Sequence, residues 1–421
     1  MTERTVLISG ASIAGPALAF WLKRHGFRPV VVERASELRT GGQSVDLRGA
    51  GQEVMRRMGL EQQIRARTTH EEGIHFVDAQ GRTKASMSSA SMGGKGFTSD
   101  IEILRGQLAQ VFYDATREDI EYVFGDQVVS LRDLGDRVRV GFLHGPEREF
   151  DLVIAADGIR SRTRELVFGG EAAIRSLGMY TSYFTIPREP TDDAWARWYS
   201  APGSRSMLLR PDNLGTMRAS LTFLGPPRGY ERLGQEEQKD VLRRVFADAG
   251  WQVPRALAGL DQTTDFYFEA VGQVRMPHWS KGRVALVGDA AYCASPVSGM
   301  GTSLALVGAY ILAGELSRHA SHTQAFAAYE RLMRPYVTQA QDIPSVAPRI
   351  GSPKTQLGIT LVQSVVRLAT LPGVRQLVGR LVVPPAEAIT LPHYPTRPED
   401  RPTAAPPRPA AEDWRPDSLS P

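Results

Sequence analysis

The chain opens on a short, unbroken apolar run, Val6-Leu7-Ile8, and repeats the pattern at Val30-Val31-Val32. Runs of this length without polar alternation predict strands buried on both faces, the habit of parallel sheets. Between them lie a small-residue turn, Gly10 to Gly15, and a segment from Pro16 to His25 with apolar residues at helical spacing. Strand, turn, helix, strand in this order predicts a parallel βαβ unit of the nucleotide-binding kind.

Further along, Gln52 to Thr68 has the spacing of one helix. The alternating runs Gly73 to Val77 and Arg82 to Met87, joined by Asp78-Ala79-Gln80-Gly81, predict a hairpin. A Gly/Ser/Met-rich loop from Ser88 to Gly96 precedes a helix starting near Leu104, with Leu108, Val111 and Phe112 on one face. Val128 to Leu131, Val138 to Phe142 and Leu152 to Ala155 predict strands. Between Ser176 and Phe268 the pattern changes to short strands rich in Tyr, Phe and Leu, with one helix near Gln235 to Ala249, which predicts a second, mainly antiparallel layer. The buried-strand pattern returns at Arg283 to Gly288, before helices at Ser303 to Leu316 and Gln324 to Gln341. Gln356 to Val383, broken at Pro372-Gly373, predicts a packing pair of helices.

The expected fold class is α/β: a discontinuous Rossmann-like domain (1–70, 98–175 and 276–345) and a mainly antiparallel β-sheet substrate domain (71–97 and 176–275). C-terminal helices (346–385) and a Pro-rich tail (386–421) follow. The composition beyond Pro384 predicts that the tail is disordered or loosely draped.

Composition narrows the function. With 421 residues and 42% hydrophobic positions, the chain has room for a core and a large cofactor. A formal charge of +4 is too small and dispersed to call for nucleic acid. One cysteine, Cys293, forms no internal disulfide and reads as a small buried side chain. The start of the chain lacks a signal-peptide pattern, and the longest apolar stretches fall short of a bilayer span, so the expectation is a cytoplasmic protein. Eight scattered histidines without ligand spacing give no metal site and no catalytic triad.

The turn Gly10-Ala11-Ser12-Ile13-Ala14-Gly15 sits where a G-x-G-x-x-G fingerprint lets the backbone approach a pyrophosphate at a helix N-terminus. Ser12 replaces the middle glycine and is small enough to preserve that approach. Glu33, at the end of the second strand, supplies the carboxylate that accepts from a ribose. One such half does not distinguish NAD from FAD.

Two later segments add to it: Asp151-Leu152-Val153-Ile154-Ala155-Ala156-Asp157-Gly158-Ile159-Arg160-Ser161-Arg162-Thr163-Arg164, and Arg283-Val284-Ala285-Leu286-Val287-Gly288-Asp289-Ala290-Ala291. With the glycine turn, they resemble the three sequence elements of para-hydroxybenzoate hydroxylase type flavoprotein monooxygenases. The stretches Gly41 to Gly49 and Ile103 to Leu108 are most similar to tetracycline-oxidising and actinobacterial polyketide-tailoring members. The resemblance implies FAD on the single dinucleotide fold. It places Gly10, Ser12, Ala14, Gly15 and Glu33 at the nucleotide, with Arg34 and Arg105 along the adenosine and diphosphate and Asp46 among the cofactor-binding residues. Asp157 and Gly158 then touch FAD and the reductant, and Gly288 and Asp289 hold the ribityl region. The segment containing Pro296, Gly299, Met300 and Gly301, ahead of the helix at Ser303, turns its non-proline backbone N–H groups towards the flavin. The family usually has His at Tyr292 and Gln at Met300.

The implied activity is hydroxylation of an aromatic or polyketide-like small molecule with molecular oxygen, through a flavin hydroperoxide that forms after transient reduction by NADPH or NADH. No protein nucleophile is then required. Baeyer-Villiger or ring-cleaving oxidation, a flavin reductase and a non-catalytic FAD-containing drug-binding protein are the competing expectations. Candidate substrate-facing residues are Tyr183, Phe184, Trp195, Trp198, Tyr199, Met207 and Phe223, although core packing is the ordinary role of any one of them. Arg210 and Arg218 are possible anchors for an acidic phenol but are expected to be solvated at the surface. A monomer and a weak homodimer fit equally well.

Overall fold

The structure, a computed structural model, describes residues 3–39, 41–88, 101–344, 346–369 and 386–395. At its centre is a six-stranded sheet in the order Ser280–Lys281, Val284–Leu286, Leu152–Ala155, Thr5–Ser9, Arg28–Glu33, Glu121–Phe124. Neighbours pair in parallel except at the short edge strand Ser280–Lys281. The apolar runs lie here because both faces are covered. Val6, Ile8 and Val31 pack against helices, whereas Leu7, Val30 and Val32 pack against a three-stranded antiparallel sheet (Val128–Asp133, Val138–Phe142, Arg148–Phe150). The helix Ala14–Arg24, buried from Ala14 to Leu22, lies between the parallel sheet and the helix Gly301–Arg318.

A second, seven-stranded sheet runs Tyr267–Arg275, Ala173–Pro187, Thr216–Leu224, Arg205–Pro211, Trp195–Ala201, Gly73–Val77, Thr83–Ser88. The predicted early hairpin therefore joins the later layer, entering it by a parallel pairing of Gly73–Val77 with Trp195–Ala201. One face of this sheet packs on the helices Gln235–Phe246 and Val253–Gly259 through a separate core. The other face turns toward the parallel sheet and bounds the candidate site.

The segment Gln52 to Thr68 is two helices, Ala50–Met58 and Glu61–Arg65, not one. Gly59 adopts a left-handed φ of 75° and its N–H caps the first helix. The short strands Ser44–Leu47 and Ile101–Leu104 pair antiparallel, an element the hydrophobic pattern did not announce. Residues 386–395, expected to be loose, are packed. Tyr394 is 4% exposed and donates to Glu315 Oε1 at 2.6 Å, and Ala386 accepts from the Ala50 N–H at 3.0 Å. Composition misled here because a single buried aromatic side chain anchors an irregular segment that has no periodicity of its own. The helix Gln356–Ala369 lies along the strand Thr83–Ser88. The expectations for residues 89–96, 370–383 and 396–421 fall outside the described residues.

Candidate functional site

The first turn is built so that its backbone is exposed to whatever lies above it. Gly10 has φ 111°, and a Cβ there would sit 2.6 Å from the Ala156 carbonyl oxygen. At Gly15 a Cβ would lie 1.9 Å from the Gly10 carbonyl oxygen, so the turn closes only with glycine at both positions. No side chain caps the helix Ala14–Arg24, which leaves its N-terminal amides directed at the turn. Ala14 packs close to the Gly288 loop, where a Cβ on Gly288 would be 3.1 Å from the Ala14 Cβ. Glu33 closes the turn from below. Its Oε2 accepts from the Ala11 N–H at 2.9 Å and its Oε1 from the Ala35 N–H at 3.0 Å, leaving further lone pairs on each oxygen. Arg34 is exposed beside it.

Arg105, at the start of the helix Arg105–Asp114, reaches across to donate to Ser12 Oγ at 3.0 Å. Its guanidinium also lies against Gly42, where a Cβ would come within 2.8 Å of Nε. Desolvation lowers the pKa of Arg105, while Tyr267, Glu33 and Asp289 favour the cation and Arg39 opposes it. Asp289 begins the short helix Asp289–Tyr292. Its side chain has open surface, yet protein surrounds it closely enough that desolvation raises its pKa despite a hydrogen bond from Cys293 and the Arg105 charge. A carboxylate both accessible and desolvated marks a deep recess.

Asp157 does not point freely into that recess. Its Oδ1 accepts from Ser161 Oγ and its Oδ2 from the Thr163 N–H at 3.1 Å, so it fixes the start of the helix Arg162–Phe168. Gly158, with φ 85°, has no atom within 4 Å of a Cβ position and is open. Buried Arg164 ties the two motifs together: it donates to the Ala290 carbonyl and to the Ile159 carbonyl, each at 2.8 Å.

At the far end, the 3-10 turn Pro296–Ser298 leads through Gly299, with φ 61°, into the 18-residue helix Gly301–Arg318, which no side chain caps. Pro296 is exposed. Met300 is not available in the way its position suggests: its side chain is fully buried in the core, and its N–H donates to Ser298 Oγ at 3.1 Å. Tyr292 is likewise a packing residue, bonded to the Tyr329 hydroxyl at 3.0 Å under Gly308. Asp46 pairs with Arg48 at 2.9 Å, and Arg48 is clasped at its backbone by Ser303 Oγ, beneath the Gly299 turn.

The opposing wall is the open face of the seven-stranded sheet. Strand alternation places Tyr183, Trp198, Arg210, Arg218, Tyr267 and Glu269 on it. The Tyr183 and Tyr267 rings stack with centroids 6.5 Å apart. Of the substrate-facing candidates, Phe184, Tyr199, Met207 and Phe223 point the other way into the second core, and Trp195 stacks on His75.

Arg210 and Arg218 are not solvated surface groups. Their side chains are 17% and 10% exposed. Arg210 pairs with Glu71 at 2.8 Å and with Glu102; Arg218 pairs with Asp212 at 2.9 Å and Asp265 at 2.7 Å. Burial raises the pKa of Glu102, although Arg210 opposes the shift, and nearby Glu71 and Asp46 add to it. One guanidinium balances one of these carboxylates, so Glu102 is the group that keeps a proton. Asp265 stays below the ordinary carboxylate range because, against the cost of burial, Thr185, Thr263 and Arg218 hydrogen-bond or pair with its anion.

Tyr267, Glu269, Arg48 and Arg164 were missed as site residues by sequence reasoning. The alternation Tyr267-Phe268-Glu269, with Phe268 in the second core, is the signal that puts the first pair on one face. An open cleft of about 330 Å³ between Trp279, Arg334 and Gln341 touches none of this wall. Among the described residues, no group of three or more His, Cys, Asp or Glu is placed to hold a metal, and no helix is long and apolar enough to cross a membrane.

Residues 3–343 match the family model for an FAD binding domain. The chain is 36% identical over 401 residues to the FAD-dependent monooxygenase asL4 of Sarocladium schorii, covering 88% of this chain and 93% of that protein. It is 38% identical over 338 residues to a flavin-dependent monooxygenase of Legionella longbeachae, covering 80% and 86%. The crystal structure of the tetracycline destructase Tet(51) is similar with a TM-score of 0.78 at 34% identity, over 93% of this chain and 100% of that one. A family match spanning the six-stranded sheet, with relatives alike over most of their length, shows that the chain belongs to the FAD-binding-domain family, as an FAD-dependent monooxygenase of the para-hydroxybenzoate hydroxylase type.

Proposed function

We propose that this enzyme oxidises a planar, phenol-bearing aromatic or polyketide-like molecule, using NADPH or NADH to reduce its FAD and molecular oxygen as co-substrate. The observation that carries the reading is the placement of Tyr183, Trp198 and Tyr267 on the sheet face opposite the recess that Arg105 and Asp289 line. The likeness to a tetracycline destructase supports a polycyclic substrate of this kind.

The residues present fit FAD. Gly10, Ser12, Ala14 and Gly15 form a turn that a Cβ would block at two positions, and Glu33 and Arg34 lie where a ribose and adenine edge would run. Arg105 would bring a cation to the diphosphate, whereas Asp46, paired with Arg48 beneath the Gly299 turn, would lie at the flavin end. Gly288 and Asp289 would bound the ribityl portion, and the open Gly158 would face FAD and the reductant. The uncapped helix end at Gly301, reached through Pro296, Gly299 and Met300, offers positive potential to an electron-rich ring edge.

Bound FAD, once reduced, supplies the oxygen activation. The protein's own work is to bind, orient and exclude water. Tyr183, Trp198 and Tyr267 offer ring faces against which an aromatic substrate stacks. Arg210 and Arg218, already neutralised by carboxylates, favour a neutral phenol or carbonyl over a second anion. Residues 71–97 and 176–275 would then be the substrate-binding part.

The test is oxygen uptake and product mass with isotopically labelled oxygen, using NADPH or NADH and a panel of planar phenols that includes a tetracycline. Incorporation of one labelled oxygen atom per product is expected. Cofactor oxidation that no aromatic compound stimulates, with no oxygenated product, would overturn the substrate class.

A further inference from the structure

Glu269 stands where an anion is poorly placed if the recess holds FAD, and the role inferred for it rests on that assignment of the recess. It lies on the strand Tyr267–Arg275, with Thr181 as its cross-strand partner and Tyr183 opposite Tyr267. The Tyr267 hydroxyl donates to Glu269 Oε2 at 3.3 Å. The charged and titratable groups facing it come from every neighbouring element: Asp289 and Cys293 from the Asp289–Tyr292 helix and its end, Arg160 from the loop after Leu152–Ala155, Arg105 from the helix at the glycine turn, and Tyr183 and Tyr267 from the sheet. Two carboxylates, Glu269 and Asp289, thus share one desolvated recess with Arg105 and Arg160. A dinucleotide cofactor, with its diphosphate beside Arg105, would add further negative charge to the same recess.

We infer that Glu269, held by Tyr267 across from Asp289, takes up a proton when FAD fills the recess, so that cofactor binding is linked to protonation. The physical basis is simple linkage: an anion bound beside a carboxylate favours the carboxyl form, and the form that binds better is drawn from solution with its proton. Without cofactor, desolvation together with the Asp289 charge already pushes the Glu269 pKa up to about 7, against the Tyr267 hydrogen bond and the two arginines. Glu269 is therefore ionised in a substantial fraction of molecules at neutral pH and has a proton to gain. As a neutral carboxyl it becomes a hydrogen-bond donor within the recess. Glu269 is a positioning residue here, not one that handles the oxygen chemistry.

The experiment titrates FAD into protein stripped of flavin, from about pH 6 to about pH 9, following flavin fluorescence, with calorimetry in two buffers of different ionisation enthalpy. In the unsubstituted protein, affinity should weaken above neutrality by up to about tenfold per pH unit, the limit for one linked proton. Calorimetry should show net proton uptake near pH 8 (roughly one proton at most). Glu269→Gln should flatten the profile and abolish the uptake. Tyr267→Phe, which removes a bond to the ionised form, should move the onset of weakening to higher pH.

Binding that is pH-independent and takes up no proton overturns the proposal, as does a Glu269→Gln protein with the original slope, which would put the proton elsewhere. If Glu269→Gln does not fold, the proton count of the unsubstituted protein and the direction of the Tyr267→Phe shift still decide. Binding at no pH would instead overturn the assignment of the recess to FAD, and this inference with it.

Discussion

Single residues in this protein are constrained in two distinct ways. Gly10 and Gly15 are fixed by space: each Cβ position is already taken by a carbonyl oxygen. Gly15→Ala should therefore force the turn apart, costing roughly 1–3 kcal/mol as overpacking does, and should release FAD. Urea unfolding and flavin content after gel filtration read both effects; a stable, fully flavinated variant would contradict the turn's role. Arg210, by contrast, is fixed by charge. Arg210→Met takes the balancing cation from buried Glu71 and should cost roughly 3–5 kcal/mol, with part recovered in the double variant Arg210→Met, Glu71→Gln. If the double variant is no more stable than the single one, Glu71 is not the strained partner. The glycines were legible in the sequence because a turn between two apolar runs announces them. Arg210 was not, because burial of a charge depends on partners 139 and 108 positions away.

At the scale of elements, periodicity predicted what packs on two sides and missed what packs by isolated contacts. The strands Thr5–Ser9 and Leu152–Ala155 are apolar throughout their interiors because the parallel sheet is covered on both faces, and their bounds were readable to the residue. The pair Ser44–Leu47 and Ile101–Leu104 is short and mixed in polarity, so only the distant pairing, from Leu47 with Ile101 to Ser44 with Leu104, defines it. The segment 386–395 is the clearest failure of composition. It is locked by Tyr394 against Glu315 and by the Ala386 carbonyl against Ala50. Tyr394→Ala should lower stability by about 3–5 kcal/mol in thermal melts, the range for deleting a large buried aromatic side chain. A loss within about 0.5 kcal/mol, the size of an ordinary surface substitution, would mean that the segment is draped after all.

For the whole molecule, the three family motifs converge on one recess between two sheets, a convergence visible in the sequence only through resemblance. The face opposite them was not legible, since which aromatic residues line it depends on strand register. Tyr183 and Trp198 face the recess while Phe184 and Tyr199 face the second core, one residue away in each case.

The titrating groups give the molecule a signed pH dependence. Asp265 and Asp212 are held below the ordinary aspartate value, so their stabilisation is present above that value and is lost as pH falls through their folded values. Glu102 and Glu269 are raised above the ordinary value of 4.5, so their contribution is complete below it and is lost as pH rises through their folded values. Thermal stability should thus peak on the acid side of neutrality and decline towards about pH 8, and Glu102→Gln should flatten the alkaline limb. Melting curves across pH check this, and a stability that climbs from pH 5 to pH 8 would contradict it.

A crystal structure of the protein with FAD decides where the cofactor lies. The diphosphate should rest over the turn from Gly10 to Gly15 beside Arg105, with the isoalloxazine between the helix end at Gly301 and the sheet face that carries Tyr183 and Trp198. FAD bound with its diphosphate away from that turn, or its ring outside the space between the two sheets, would refute the site described.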